Sequence, residues 1–199
     1  MYEGHFKVTY RGIETIKCPF DYIMYQMIVW KLQPDLIIEI GTSKGGTALY
    51  LADLLDITGK GEIHTIDIKK DELNPLVKLH PRIKIFTGGY QEYDLKNANG
   101  FEIVIVIEDG SHTYNDTISA MLKFSQVVTL NSYMIIEDGI IDELKMKEKY
   151  NGGPLKAIQE FLSVNNRFTI DRTWCDMFGS NATFNVDGYL KKTGENAKS

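Results

Sequence analysis

The segment Leu36-Ile37-Ile38-Glu39-Ile40-Gly41-Thr42-Ser43-Lys44-Gly45-Gly46-Thr47 limits the folds open to this chain more than any other stretch. An apolar, isoleucine-rich run ends in an acid and a glycine, and a glycine pair then opens the helical pattern Ala48 to Leu55. That order prescribes a strand, a tight loop and a helix start. Glycine permits positive φ and lets the backbone approach a ligand closely. The first amides of the new helix have no intrahelical acceptor and can serve one. The loop reads as a cradle for a small molecule, against the plainer reading of a glycine turn that only joins strand to helix.

The rest of the chain repeats the same alternation. Strands are expected at Leu36–Ile40, Glu62–Asp67, Ile83–Phe86, Glu102–Ile107, Tyr133–Ile136 and Arg167–Ile170. A last stretch, Ala182 to Lys191, reads as an edge strand or hairpin closing the sheet. Helices are expected at Tyr22–Leu32, Gly46–Leu55, Asn74–Leu79, Asn115–Phe124 and Pro154–Leu162. Continuous apolar strands separated by helices imply an α/β fold, doubly wound around a mostly parallel seven-stranded sheet.

With 199 residues, a net charge of −5 and 43% hydrophobic content, the chain suits a single domain over 1–199 with an N-terminal extension of about residues 1–18. Its apolar runs are too short to span a bilayer and no leader pattern is visible, so a cytoplasmic setting without a membrane partner is expected. Cys18 and Cys175 have no C-x-x-C spacing, which argues against a disulfide framework or a zinc cluster. An acidic balance without a basic stripe points away from nucleic acid. The extension carries Tyr2, Phe6, Val8, Tyr10 and Ile13, which can pack on a neighbouring subunit of a homo-oligomer or fold back on their own domain.

Acids recur where strands end, the edge at which ligands bind in such sheets. Asp67 stands where an acid accepts from ribose hydroxyls, or else caps the segment after it. Glu39 can hold the loop or meet a ligand's ammonium group. Glu108-Asp109-Gly110-Ser111-His112 and Glu137-Asp138-Gly139 follow two neighbouring expected strands. Asp109, Glu137 and Asp138 can converge as oxygen donors for a hard cation such as magnesium, which acidifies a chelated hydroxyl. The plain alternative is a set of caps and turn acids. His112 is a candidate general base, with Asp109 beside it, or a solvated loop histidine. Ser111 can orient it or cap the next helix.

Neither the dinucleotide fingerprint G-x-G-x-x-G nor the phosphate loop G-x-x-x-x-G-K-[ST] is met, because Ser43 replaces the second glycine and no Lys-Ser/Thr follows. The loop instead resembles the E-x-G-x-x-x-G loop of class I S-adenosylmethionine-dependent methyltransferases. Over nearly its full length the chain resembles the cephalosporin hydroxylase and rhamnosyl O-methyltransferase-like family. The matching stretches include Lys17-Cys18-Pro19-Phe20-Asp21, the glycine loop, Gly61 to Ile68, Asp109-Gly110-Ser111-His112, Ile136-Glu137-Asp138, Gly152-Gly153-Pro154 and Asn185 to Leu190.

The resemblance implies that Gly41, Ser43, Gly45, Gly46 and Asp67 bind S-adenosylmethionine; Glu39 and Thr47, in the same loop region, are the further cofactor-binding candidates. It also implies that Asp109, Glu137 and Asp138 hold magnesium. The implied activity is O-methylation of a hydroxyl on a small molecule or sugar. Glu108 departs from the family pattern, which has a less acidic residue there, and Asn185-Val186 departs from an Asn-Pro. No 2-His-1-carboxylate set suggests an iron oxygenase. A nicotinamide-dependent oxidoreductase and a non-catalytic pathway partner with a vestigial site are the other classes considered.

Overall fold

In the computed structural model, residues 2–68, 73–180 and 182–195 are described. They form two compact units that divide between Glu102 and Ile103. The first contains α1 (Tyr2–His5), β1 (Thr9–Tyr10), β2 (Ile13–Glu14), α2 (Pro19–Leu32), β3 (Leu36–Ile40) and α3 (Gly46–Thr58). It continues with β4 (Glu62–Asp67), α4 (Pro75–Lys78), β5 (Ile83–Thr87) and α5 (Gly89–Glu92).

Helix α2 starts three residues earlier than the apolar pattern suggests because Pro19 occupies its first turn, where a missing N–H costs nothing. It stops at Gln33, which turns left-handed ahead of Pro34. Strands β3, β4 and β5 pair in parallel in the order β5-β4-β3. All five residues of β3 are buried, which explains why all but Glu39 are apolar. The parallel registers Ile40↔Ile66 and Asp67↔Thr87 bring the three strand ends to one edge. Gly61 fits only as glycine: a Cβ there would meet the Pro34 carbonyl oxygen at 2.4 Å.

The described residues of the N-terminal segment make contacts with their own unit. The Tyr10 hydroxyl donates to Asp53 of α3 at 2.8 Å, and Thr15 abuts the start of that helix.

The second unit contains β6 (Val104–Glu108), α6 (Tyr114–Phe124), β7 (Tyr133–Ile136), α7 (Gly153–Val164), β8 (Phe168–Ile170), α8 (Arg172–Cys175) and β9 (Tyr189–Lys192). Its strand order is β6-β7-β9-β8, parallel between β6 and β7 and antiparallel on both sides of β9. The last strand is thus interior to this unit and β8 lies outside it, whereas the sequence suggested an edge position for the final stretch. Lys192 accounts for part of this placement. It ends a strand rich in polar residues yet is buried, because its ammonium group donates to the Val128 and Ser125 carbonyls beyond the C-terminus of α6. Strand β6 also runs one residue further than expected, so Glu108 lies inside the strand.

Together β3 to β9 give the seven-stranded, mostly parallel α/β class expected, with antiparallel pairing confined to β9. Cys18 and Cys175 are both buried thiols. Among the described residues, no helix is long and apolar enough to cross a membrane.

Candidate functional site

The glycine loop closes the edge of the first unit. Gly41 turns at φ 104° and donates its N–H to the Ile66 carbonyl at 2.8 Å. Ser43 adopts φ 47° and donates its N–H to Asp67 Oδ2 at 3.0 Å. Asp67 therefore holds the loop across the strand ends. The segment it would cap as a helix N-cap includes residues 69–72, which lie outside the described residues.

Glu39 is 1% exposed and accepts from the Thr65 hydroxyl at 2.5 Å, while Thr65 also pairs with Thr42 at 2.7 Å. This chain of side chains is the loop-holding role open to Glu39. Gly45 (φ 82°) precedes α3 without any side-chain cap, which leaves the first amides of the helix to other acceptors.

The glycine pair answers to packing as much as to any ligand. A Cβ on Gly46 would lie 2.2 Å from Thr15 Cγ2 and 2.6 Å from the Glu14 carbonyl oxygen, and one on Gly45 would lie 2.8 Å from Val77 Cγ1. Thr47 is buried in the first turn of α3. Two neighbours escaped the sequence reading. Ile68, directly after Asp67, is 71% exposed, and Gly88-Gly89 follows β5 with both residues at positive φ. A Cβ on Gly89 would meet Ile68 Cγ2 at 2.9 Å, so the two lie side by side. The signal was present in the sequence as a glycine pair at a strand end.

The second unit carries the acidic cluster. Asp109 follows β6 directly, and His112 turns back at φ 58°, a left-handed conformation uncommon for a residue with a Cβ. Asp138 follows β7 at φ 57°. His112 Nε2 lies 3.4 Å from Asp138 Oδ2 and 3.9 Å from Asp109 Oδ1. One ligand atom from each of the three residues falls within 4.8 Å of the others. Of the expected metal-binding set, Asp109 and Asp138 come together with His112. Glu137 is buried at the end of β7, and its carboxylate is not in that group.

Burial opposes protonation of His112. The carboxylates of Asp138, Asp109, Glu108 and Glu137 outweigh it and hold the pKa above the ordinary imidazole value. Ser111 does not orient the ring. Its hydroxyl donates to Asp116 at 2.6 Å and pairs with Thr113, the N-cap of α6. Glu108 is 2% exposed and its Oε1 accepts from the Gly110 N–H at 3.2 Å. Burial pushes its carboxyl up to about 7, with the His112 charge pulling the other way.

The acidic turn is fixed from behind by the segment before β9. The Ile136 N–H donates to Gly188 O at 2.8 Å and the Ile140 N–H to Phe184 O at 3.0 Å, bracketing Glu137 to Gly139. Arg172 pairs with Asp187 at the tip of that segment.

The donor chemistry fits a hard cation. Two partly exposed carboxylates face each other with one imidazole, and two more acids lie buried behind them. A second group, Asp53, Asp56 and His80, has similar spacing, but Tyr10 and Arg11 bind Asp53 and Arg82 binds Asp56. That group is a surface ion-pair network.

The fold belongs to a known class. CmcI with magnesium and S-adenosylmethionine superposes with a TM-score of 0.71 at 20% identity, covering 95% of this chain and 78% of that one. MycE, from the mycinamycin biosynthetic pathway, in complex with magnesium and S-adenosylhomocysteine, superposes with a TM-score of 0.54 at 17% identity, covering 87% and 49%. These likenesses are of fold, and the fold is that of class I methyltransferases. The profile of the family described as "Rhamnosyl O-methyltransferase/CmcI" matches residues 3–193, and the chain belongs to that family. The rhamnosyl O-methyltransferase of Mycobacterium tuberculosis (strain H37Rv) is 28% identical over 163 residues, 78% of this chain, and the chain spans 66% of that relative's length.

Proposed function

We propose that the chain is an S-adenosylmethionine-dependent, magnesium-dependent O-methyltransferase acting on a hydroxyl of a sugar or other small molecule. The observation that carries this reading is the set of Asp109, Asp138 and His112 donor atoms within 4.8 Å of one another at the ends of β6 and β7, in a chain of this family. CmcI, solved with magnesium and S-adenosylmethionine, supports the same reading.

In the first unit the Gly41 to Thr47 loop binds the cofactor. Asp67 accepts from its ribose, and exposed Ile68 beside Gly89 offers an apolar face to the adenine. Glu39 braces the loop through Thr65. In the second unit Asp109 and Asp138 bind magnesium, with Glu137 placed behind them to add negative charge. The ion, when bound, supplies Lewis acidity that lowers the pKa of a chelated hydroxyl. His112 Nε2 takes the proton that this hydroxyl loses. A cytoplasmic setting accords with two buried, unbridged thiols.

The test pairs a binding readout with turnover. Manganese binding followed by electron paramagnetic resonance should be saturable in the wild type and lost in Asp138→Ala. Methyl transfer to methyl α-L-rhamnoside should stop with chelator and return with added magnesium. Turnover that survives complete chelation contradicts the metal role, and the acidic cluster would then be caps and substrate contacts.

A further inference from the structure

The structure gives Glu108 a place that the acidic cluster does not explain. It is the last residue of β6, points inward and is 2% exposed. Its Oε1 is anchored by the Gly110 N–H at 3.2 Å, while Oε2 is buried without a hydrogen-bond partner. His112 Nδ1, on the ring edge turned away from Asp109 and Asp138, is likewise buried and without one, as is the hydroxyl of Thr117 on the buried face of α6. Three orphaned buried polar atoms in one neighbourhood are costly unless they serve one another. After burial itself, the His112 charge is the leading influence on the Glu108 carboxylate, and the Thr117 hydroxyl also acts on it.

We propose that Glu108 is the positioning residue for His112. Its Oε2 serves, through one bridging water, as the acceptor behind the ring for Nδ1–H, with Thr117 donating to the same carboxylate. An acceptor there fixes the Nδ1–H tautomer and leaves the Nε2 lone pair facing Asp109 and Asp138. When Nε2 takes the acceptor's proton, the new imidazolium charge is shared with Glu108 through the Nδ1–H bond. The left-handed backbone at His112 is the strain that turns the ring into this arrangement. The role rests on the O-methyl transfer reading, but its geometry can be tested without turnover.

Glu108→Gln is the discriminating variant. The Gly110 N–H requires an acceptor, so the amide oxygen stays at the Oε1 position and the NH2 group points toward His112 Nδ1. A donor at that place forces the opposite tautomer, with the proton on Nε2, which disables the base. In 15N-labelled protein, with the ring neutral, the His112 nitrogen shifts should report Nδ1–H in the wild type and Nε2–H in the variant. The kcat toward methyl α-L-rhamnoside should fall about 10–100-fold, with the KM for S-adenosylmethionine unchanged. The melting temperature should hold or rise, because an amide costs less to bury than a carboxylate. The same His112 tautomer in both proteins overturns the proposal, whether or not turnover is found. A wild type that shows the Nδ1–H tautomer but binds no S-adenosylhomocysteine contradicts the methyltransferase reading instead.

Discussion

Gly139→Ala probes how the acidic turn is held. Gly139 follows Asp138 and lies outside the left-handed region, so its backbone can accept alanine. Backbone entropy alone would favour the change by ~0.4–1 kcal/mol. Space forbids it. The new Cβ would lie 2.4 Å from Val186 O, 3.1 Å from Val186 N and 3.2 Å from Val186 C, all backbone atoms with no rotamer to give way. Ordinary contact begins near 3.4 Å, so about 1 Å must be found between the two segments.

The hydrogen bonds Ile136 N–H to Gly188 O and Ile140 N–H to Phe184 O resist that separation. Overpacking of this kind costs ~1–3 kcal/mol. The net loss after the backbone gain is about 1–2 kcal/mol, or roughly 2–8 °C in melting temperature for a chain of this size. Asp138 sits next to the displaced atom, and a shift near 1 Å costs about 10²-fold in turnover. Urea unfolding followed by tryptophan fluorescence, together with manganese affinity, reads both consequences. Wild-type stability and metal affinity in Gly139→Ala would refute the argument that the Val186 backbone sets the position of the acidic turn.

Gly46→Ala should destabilise by ~1–3 kcal/mol in the same unfolding assay, and adding Thr15→Ser should recover only part of this, since it removes the 2.2 Å contact and leaves the Glu14 carbonyl at 2.6 Å. Full recovery would show that the hairpin backbone is free to move. Lys192 supplies a pH signature. Burial lowers its pKa from 10.5 to about 8, so the unfolded chain binds more protons between these values. Stability attributable to it should therefore rise with pH through that window and be lost as pH falls through about 8. The difference in unfolding free energy between wild type and Lys192→Met, measured from pH 8 upward, should follow that sign, and a flat difference would count against it.

The alternation of strands and helices was legible in the sequence because the central apolar runs β3, β6 and β7 are buried along their whole length and some helices carry their own stop signal, such as Gln33 before Pro34 or Gly59 after α3. Asp67, Asp109 and Asp138 were legible as strand-end acids because charge at that edge is not a packing requirement. What escaped depends on contacts between segments distant in sequence. Gly46 looks like a ligand-facing glycine, but the hairpin backbone pressed against it comes from residues 14 and 15. Glu108 looks like a fourth surface acid until the strand is seen to run one residue longer and carry it inward. The interior place of β9 could not be read from a stretch ending in two lysines, since the carbonyls that receive Lys192 belong to another element. Glu137 and Asp138 are adjacent in sequence yet differ in burial and conformation, and only the left-handed turn at Asp138 separates them.

The claim that the Gly41 to Thr47 loop and Asp67 bind S-adenosylmethionine is tested most directly by calorimetric titration of the wild-type protein with S-adenosylhomocysteine, which needs no knowledge of the acceptor. The account predicts a saturable isotherm with one ligand per chain, weakened by about 1–3 kcal/mol in Asp67→Ala through loss of charge-assisted hydrogen bonds. Absence of heat and of any thermal shift with either S-adenosylhomocysteine or S-adenosylmethionine would contradict it.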